Sequence, residues 1–408
     1  MKIGILLPYK ENFSPEYPGA VSLFVYETSV NSKYKKNIIV FGNTTFNKKF
    51  NLKYKNIALR KSLFASQTKN YVKKFINQQR KFKFSIIEIH NRPGYVKLLN
   101  KHIKKSVFSL YFHNDPLSMD GSKTIKERKD LLNICYKIIF NSNWSKKRFL
   151  EGLNNKFVNS NKLEVFFQSA RKGKLSCIGK KKNWITFVGK LNKAKGYDIF
   201  SSSIKKVLNK YPNWKAKIIG DEKREKISLN HKNADLLGFQ SHDKVLDIFK
   251  KTSIAVACSR WEEPFGRTSL EASANGCAVI ITNKGGLPET VTNAKILKKL
   301  STKTLETELI NLIKDVKNRK TLQTLSIENF YLTHKFVTDK IDNYRDEKLL
   351  YNKPFYIRKN KQTQRILHIT NFNERLDGRL FFNTGRRINN GFIRLGHSVL
   401  GFSDRDIQ

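Results

Sequence analysis

Cysteine is scarce: Cys135, Cys177, Cys258 and Cys277 stand far apart, with no CxxC spacing among them. That pattern excludes a disulfide framework and the usual structural zinc sites. Long apolar runs are missing as well. The longest fall far short of a membrane span, and the opening MKIGILLPYKENF turns polar after a few residues, as a first core strand does and a signal peptide does not. A cytoplasmic location is expected. Carboxylates are few, 33 Asp and Glu against 79 Lys and Arg, which gives a formal net charge of +46. Lysine and asparagine are scattered through every segment, so most of this charge reads as solvated surface, with peripheral attraction to an anionic membrane as its second meaning. There is no RNA-binding signature and no interleaving of aromatic with basic residues, so nucleic acid is not an expected partner.

What is present suffices for folded domains: 408 residues, 39% hydrophobic, with 29 Phe and 15 Tyr, enough for two domains and some chain besides. The most informative stretch is SIAVACSRWEEPFGRTSLEASANGCAVIITNKGGLPE, from Ser253 to Glu289. Its two apolar runs, Ser253 to Ser259 and Ala278 to Thr282, read as buried parallel strands. Between them Leu270, Ala274 and Cys277 mark one face of a short helix closed by Gly276. The loop WEEPFG delivers Gly266, Arg267 and Thr268 to that helix's start, where free amides and the positive dipole end favour an anion. Glu263 and Glu271 flank the position. Amides for a phosphate, with carboxylates to accept from hydroxyls, suit a nucleotide joined to a sugar.

The rest alternates strand and helix. Lys2 to Pro8 reads as a first strand, followed by a loop containing Gly19, a helix through SLFVYETSV and a strand in KKNIIVFG. Phe84 to Ile89 and Val107 to Phe112 are further strands, ending in His90 and His113, where ligands of open α/β sheets gather. His113, in FHNDP, is the preferred candidate. A Lys-, Gly- and Ser-rich linker from Arg171 to Asn183 precedes a second alternation, in which Lys190 and Lys195 sit beside glycines in the first strand-to-helix turn and suit a diphosphate. Helices are expected at Thr302 to Ile313 and Leu322 to Tyr344. After a basic linker, RILHITNF begins a fresh strand–loop–helix–strand unit, too short to bury a full sheet alone. Asp404 and Asp406 form a DxD pair there, read as surface charge, so no metal site is expected.

With Gly19, His113, the Lys190 and Lys195 turn, EPFG, Glu271 and GGLPE in this order, the sequence resembles the family 4 retaining glycosyltransferases of GT-B fold (glycosyl transferases group 1) over about residues 1–345. The resemblance implies an α/β chain of two Rossmann-like doubly wound domains facing a cleft: 1–172 for the acceptor and 183–325 for the nucleotide sugar. A crossover helix region at 326–350 and a linker at 351–363 follow, and 364–408 starts a further Rossmann-like unit. It implies that Glu271 binds the ribose hydroxyls and Glu263 the donor sugar, and that Lys190 and Lys195 neutralise the diphosphate. His113 would touch the sugar from the first half, and Gly19 would let its loop approach the phosphates. Phe265, Gly266, Arg267 and Thr268 would surround sugar and phosphate, largely through backbone. Two positions depart from the family: Lys190 stands where Arg is usual, and Ala20 where a second glycine is common.

The implied reaction is sugar transfer from a nucleotide-diphosphate sugar to a glycan or lipid-linked acceptor, with retention and no further cofactor, in surface polysaccharide or lipopolysaccharide synthesis. Lysines and helix amides can stabilise a diphosphate leaving group without a metal. No second carboxylate stands out in the sequence as the partner a hydrolase would need opposite Glu263. An epimerase or phosphorylase of the same fold, and a non-catalytic basic binding module, remain open alternatives.

Overall fold

The computed structural model describes residues 2–59, 66–154, 157, 160–222, 224–225, 227–352, 363–370 and 384–403. The first half is a seven-stranded parallel sheet of β1 (Ile3–Leu6), β2 (Ile38–Gly42), β3 (Tyr54–Asn56), β4 (Ile86–His90), β5 (Val107–Phe112), β6 (Lys137–Phe140) and β7 (Leu163–Val165). Its crossovers include α1 (Ala20–Val30), α2 (Gln67–Gln79), α3 (Pro93–His102), α4 (Ile125–Ile134) and α5 (Asn143–Leu150). The second half is a six-stranded parallel sheet of β8 (Lys182–Val188), β9 (Lys215–Ile219), β10 (Ala234–Leu236), β11 (Thr252–Ala257), β12 (Ala278–Thr282) and β13 (Ala294–Leu297). Around it lie α6 (Tyr197–Lys210), α7 (His242–Lys251), α8 (Arg267–Ala274), α9 (Thr302–Lys314) and α10 (Val316–Glu328), after which comes α11 (His334–Asn352).

Strand order is β3-β2-β1-β4-β5-β6-β7 in one sheet and β10-β9-β8-β11-β12-β13 in the other. Each order reverses beside its first strand, between β1 and β4 and between β8 and β11, and the carboxyl ends of those pairs open the crevices in which doubly wound sheets bind ligands. The sequence enforces burial on both faces: β1, β2, β4 and β12 are buried at every position. Phe41, Phe75, Phe112, Phe140 and Phe149 fill the first core. In the second half α6 and α9 cover one face through Phe200, Leu305 and Leu309, while α7 and α8 cover the other through Phe249 and Ala272.

The helix expected over Leu322 to Tyr344 is two helices, α10 and α11. The break has a backbone cause: Ala170 N donates to Leu332 O at 3.0 Å and Ala170 bridges Thr333, so this stretch extends to pair with the residue that leads into the connector between the halves. That connector, Arg171 to Asn183, contains a 3₁₀ turn at Leu175–Lys180 and the first residues of β8. Returning along α11, Asp342 accepts from Ser32 Oγ at 2.7 Å and from Lys33 N at 2.9 Å, tying the end of the second half to the first.

Contacts divide the chain into 1–343, which holds both sheets, and 344–408. In the latter, β14 (Arg365–Thr370) and β15 (Ser398–Ser403) pair in parallel with α12 (Thr384–Arg394) between them, the strand–helix–strand order expected of that stretch. Asp404 and Asp406 lie outside the described residues.

Candidate active site

Two adjoining cavities occupy the cleft of the larger unit. One, of about 260 Å³, has His113 and Asn114 on one wall and Lys195, Ser259, Glu263 and Phe265 to Ser269 on the other. The second, of about 300 Å³, is bounded by Tyr17, Pro18 and Leu23 from the first half and by Lys190, Gly220, Phe239, His242 and Glu271 from the second. Val188, Gly189, Arg267 and Thr268 line both, so the cavities meet at the end of β8 and the first turn of α8. The leading amides of α8 have no partner within the helix, and the helix dipole is positive there. An anion held at the joint would carry one substituent into each cavity.

The two glutamates are held alike. Glu263 Oε1 accepts from Lys195 Nζ at 2.5 Å and Ser259 Oγ at 2.6 Å. Glu271 Oε1 accepts from His242 Nε2 at 2.8 Å and Arg267 Nε at 2.5 Å. In each, both bonds fall on one oxygen, which fixes the side chain and leaves Oε2 to accept from a ligand hydroxyl. Glu263 serves the first cavity and Glu271 the second.

Arg267 carries a second pairing that the sequence does not announce: its Nη2 lies 2.6 Å from Glu27 Oε1 on α1, across the cleft. Burial alone would lower the Arg267 pKa, but Glu27 and then Glu271 outweigh it and hold the guanidinium charged. Burial likewise raises the Glu271 pKa, and Arg267 followed by His242 more than reverses it, so this carboxylate stays ionised. For His242 burial lowers the pKa, while the bond and charge of Glu271 turn the net shift upward. A histidine whose folded pKa is raised stabilises fully below its ordinary range and loses that contribution as pH climbs through the raised value. His242→Gln should therefore lower Tm more at about pH 6 than at about pH 9. Parallel thermal melts of both proteins test this, and an equal loss at both pH values would mean His242 is not charged against Glu271.

His113 is buried, and burial followed by the His90 charge holds its pKa well below the histidine range, so it meets a ligand as a neutral ring. Its Nε2 lies 3.0 Å from His90 Nδ1. Asn91 Oδ1 accepts from His113 N and Asn114 N, both at 3.1 Å, and Asn141 Nδ2 donates to His113 O at 3.0 Å.

Of the residues anticipated from sequence, Glu263, His113, Lys195, Phe265 and Gly266 line the first cavity, Lys190 and Glu271 the second, and Arg267 and Thr268 both. The Phe265 ring is buried and stacked on Phe167, so only its backbone can face a ligand. Gly19 lines neither cavity. A Cβ there would stand 2.3 Å from Glu11 Oε1, and Glu11 accepts from Ser22 N at 2.9 Å, so this glycine admits a carboxylate of its own loop to the start of α1. Its neighbours Tyr17 and Ala20 reach the cavities instead.

Several site residues escape the sequence reading. Tyr17 stacks on Phe239 across the mouth of the second cavity, centroids 4.5 Å apart, with one ring from each half. His242 could have been flagged as a histidine at a helix start. Ser259 and Glu27 look like an ordinary strand-end serine and a helix glutamate, and no local signal marks them.

Residues 174–326 match the family described as glycosyl transferases group 1. Spore coat protein SA of Bacillus subtilis (strain 168) is 27% identical over 243 residues, 53% of this chain and 64% of that protein. The lipopolysaccharide core biosynthesis mannosyltransferase LpsB of Rhizobium meliloti (strain 1021) is 30% identical over 121 residues, 27% of this chain and 34% of LpsB. The chain thus spans less than two thirds of the length of the curated relatives it matches. Anabaena HepE in complex with UDP-glucose superposes with a TM-score of 0.68 at 15% identity, over 85% of this chain and 100% of that one, a likeness of fold. Residues 174–326 are a glycosyl transferases group 1 domain, set in a chain of GT-B fold.

Proposed function

We propose that the protein is a glycosyltransferase that moves a sugar from a nucleotide-diphosphate donor to a glycan or lipid-linked acceptor, with retention of anomeric configuration, in surface polysaccharide or lipopolysaccharide synthesis. The observation that carries this reading is the two-cavity cleft joined at the α8 N-terminus, with one half-held carboxylate in each cavity. The diphosphate sits at the joint, the nucleoside in the cavity of Glu271, Lys190 and Phe239, and the sugar in that of Glu263 and His113. A relative named for lipopolysaccharide core biosynthesis and a fold neighbour holding UDP-glucose support the choice of substrate class.

Breaking the bond to the anomeric carbon leaves positive charge on the sugar and negative charge on the departing diphosphate. Amides of α8 and the Lys190 and Lys195 ammonium groups meet the latter. Glu263 Oε2 accepts from a sugar hydroxyl and fixes the ring, while the neutral His113 bonds the sugar from the opposite wall. The acceptor hydroxyl attacks from the face the diphosphate leaves, and its proton passes to the departing phosphate oxygen. The acceptor approaches from the first half. No described helix is long and apolar enough to cross a membrane, and the charge surplus gives such a protein an electrostatic hold on an anionic surface where lipid-linked acceptors sit.

Purified protein incubated with UDP-, GDP- and ADP-sugars should release a nucleoside diphosphate from one of them, faster when an acceptor is added. Absence of both release and binding for every donor would overturn the reading. Turnover that needs inorganic phosphate, or sugar inversion without an acceptor, would point to the phosphorylase or epimerase alternatives.

A further inference from the structure

The GGLPE segment takes no part in either cavity beyond Leu287, yet its glutamate makes three hydrogen bonds between the two halves. Glu289 Oε2 accepts from Asn143 N at 2.7 Å and Asn143 Nδ2 at 2.8 Å, and Oε1 accepts from Trp144 N at 2.8 Å. Those amides open α5, in the other half, where they lack intrahelical partners and carry the positive dipole end. A carboxylate from one half therefore caps a helix of the other.

The start of α5 also grips both walls of the sugar cavity. Ser142, the N-cap, donates from Oγ to Pro264 O at 2.6 Å, and Pro264 follows Glu263 directly. Asn141, one residue earlier, holds His113 O and accepts from Ser145 Oγ at 2.9 Å. The glycines of the same segment make the close approach feasible. A Cβ on Gly285 would lie 2.2 Å from Glu263 O and one on Gly286 2.5 Å from Pro264 O, while Gly286 N donates to Glu263 O at 2.6 Å. Glu289, through α5, thus bears on His113 and Glu263 together.

We propose that Glu289 is a positioning residue, a latch whose bidentate cap on α5 sets the spacing between His113 and Glu263 when the cleft is closed. Its kinetic consequence rests on the transfer reading above, whereas the latch itself does not. Nucleoside binding lies outside its reach, since Glu289 bonds nothing in the cavity of Glu271. A misplacement of about 1 Å in a reacting geometry can cost about 10²-fold in rate.

Three variants, Glu289→Ala, Glu289→Gln and Glu289→Asp, give the test, using the protein itself with the donor it turns over. Glu289→Ala should lose about 10- to 100-fold in kcat with nucleoside diphosphate affinity within about threefold of the parent. Glu289→Gln, which turns an N–H donor toward the helix amides, should fall between the parent and Glu289→Ala, and Glu289→Asp, which keeps the carboxylate, should show the smallest loss of the three. Hydrogen exchange at the Asn143 and Trp144 amides should be slow in the parent and faster in Glu289→Ala. Unchanged kcat in a folded Glu289→Ala variant, or equal losses in kcat and nucleotide affinity, would overturn the positioning role. Equal amide exchange in the two proteins would overturn the latch, and that measurement decides even if no donor is ever turned over, in which case the transfer reading is what has failed.

Discussion

Glu263→Ala should lower sugar-transfer turnover by about 10²- to 10³-fold, the scale for removing one preorganised contact to a reacting group, while nucleoside diphosphate binding stays level or tightens. The second half of this expectation comes from Lys195. In the structure its ammonium group is engaged by Glu263 Oε1 at 2.5 Å, with Ser259 sharing the same oxygen. Removing the carboxylate leaves the lysine beside the α8 joint with its charge uncommitted, and a diphosphate is the nearest anion the cleft invites. Ground-state binding of the leaving group then improves just as the group that orients the sugar disappears, so turnover and affinity should part company. Calorimetric titration of the nucleoside diphosphate, paired with initial rates on the intact donor, separates the two effects. A variant that loses nucleotide affinity in proportion to its rate would mean that Glu263 serves the nucleotide and that nucleoside and sugar occupy the opposite cavities.

How far the sequence reaches can be judged from the same residues. Glu263, Lys195 and the α8 start are legible because a short loop, a helix start and a strand-to-helix turn place them by local rules: apolar runs give the strands, and β8 and β11 end side by side as the reversal of strand order requires. The doubly wound halves follow from the same runs, since strands buried on both faces cannot alternate in polarity. What stays hidden is carried by long-range pairing. Glu27 and Arg267 are 240 residues apart, and Glu289 and Asn143 are 146 apart. In a chain this rich in lysine a helix glutamate such as Glu27 has many plausible surface partners, and only the fold shows that it is buried against an arginine instead. At Gly19 the structure adds a neighbour that the sequence does not show. A glycine in a first strand-to-helix loop suggests room for a phosphate, but the room is taken by Glu11, a competitor within the loop that local pattern cannot see. The break between α10 and α11 was illegible for a related reason, because the extended pairing of Ala170 with that stretch overrides helical preference.

The largest effect on the folded state should come from Arg267→Met. Arg267 pairs with both Glu27 at 2.6 Å and Glu271 at 2.5 Å, in a site where its side chain keeps 11% of its exposure. Taking one partner from a buried ion pair costs about 3–5 kcal/mol because the charge left behind has neither water nor a counterion. Here two carboxylates are left, with His242 the remaining positive group on Glu271. Tm should fall by several degrees, and nucleotide affinity should fall with it, as it should in Glu271→Ala, because the carboxylate proposed to bind the ribose loses its support in the first variant and is absent in the second. The pH dependence gives the sharper result. In the parent the Glu271 pKa is lowered, so its contribution is present above the ordinary carboxylate range and lost as pH falls through the folded value. In Arg267→Met two like charges share the site, which raises the folded carboxylate pKa, so the variant gains on the parent as pH falls and loses further as it rises. Adding Glu27→Gln to Arg267→Met removes one of the opposing charges and should restore part of the lost stability at neutral pH, with a non-additive double-mutant cycle as the mark of direct coupling. If the two substitutions instead add without interaction, and the stability gap between parent and Arg267→Met does not narrow in acid, the pairing of α1 with α8 across the cleft does not hold the site together.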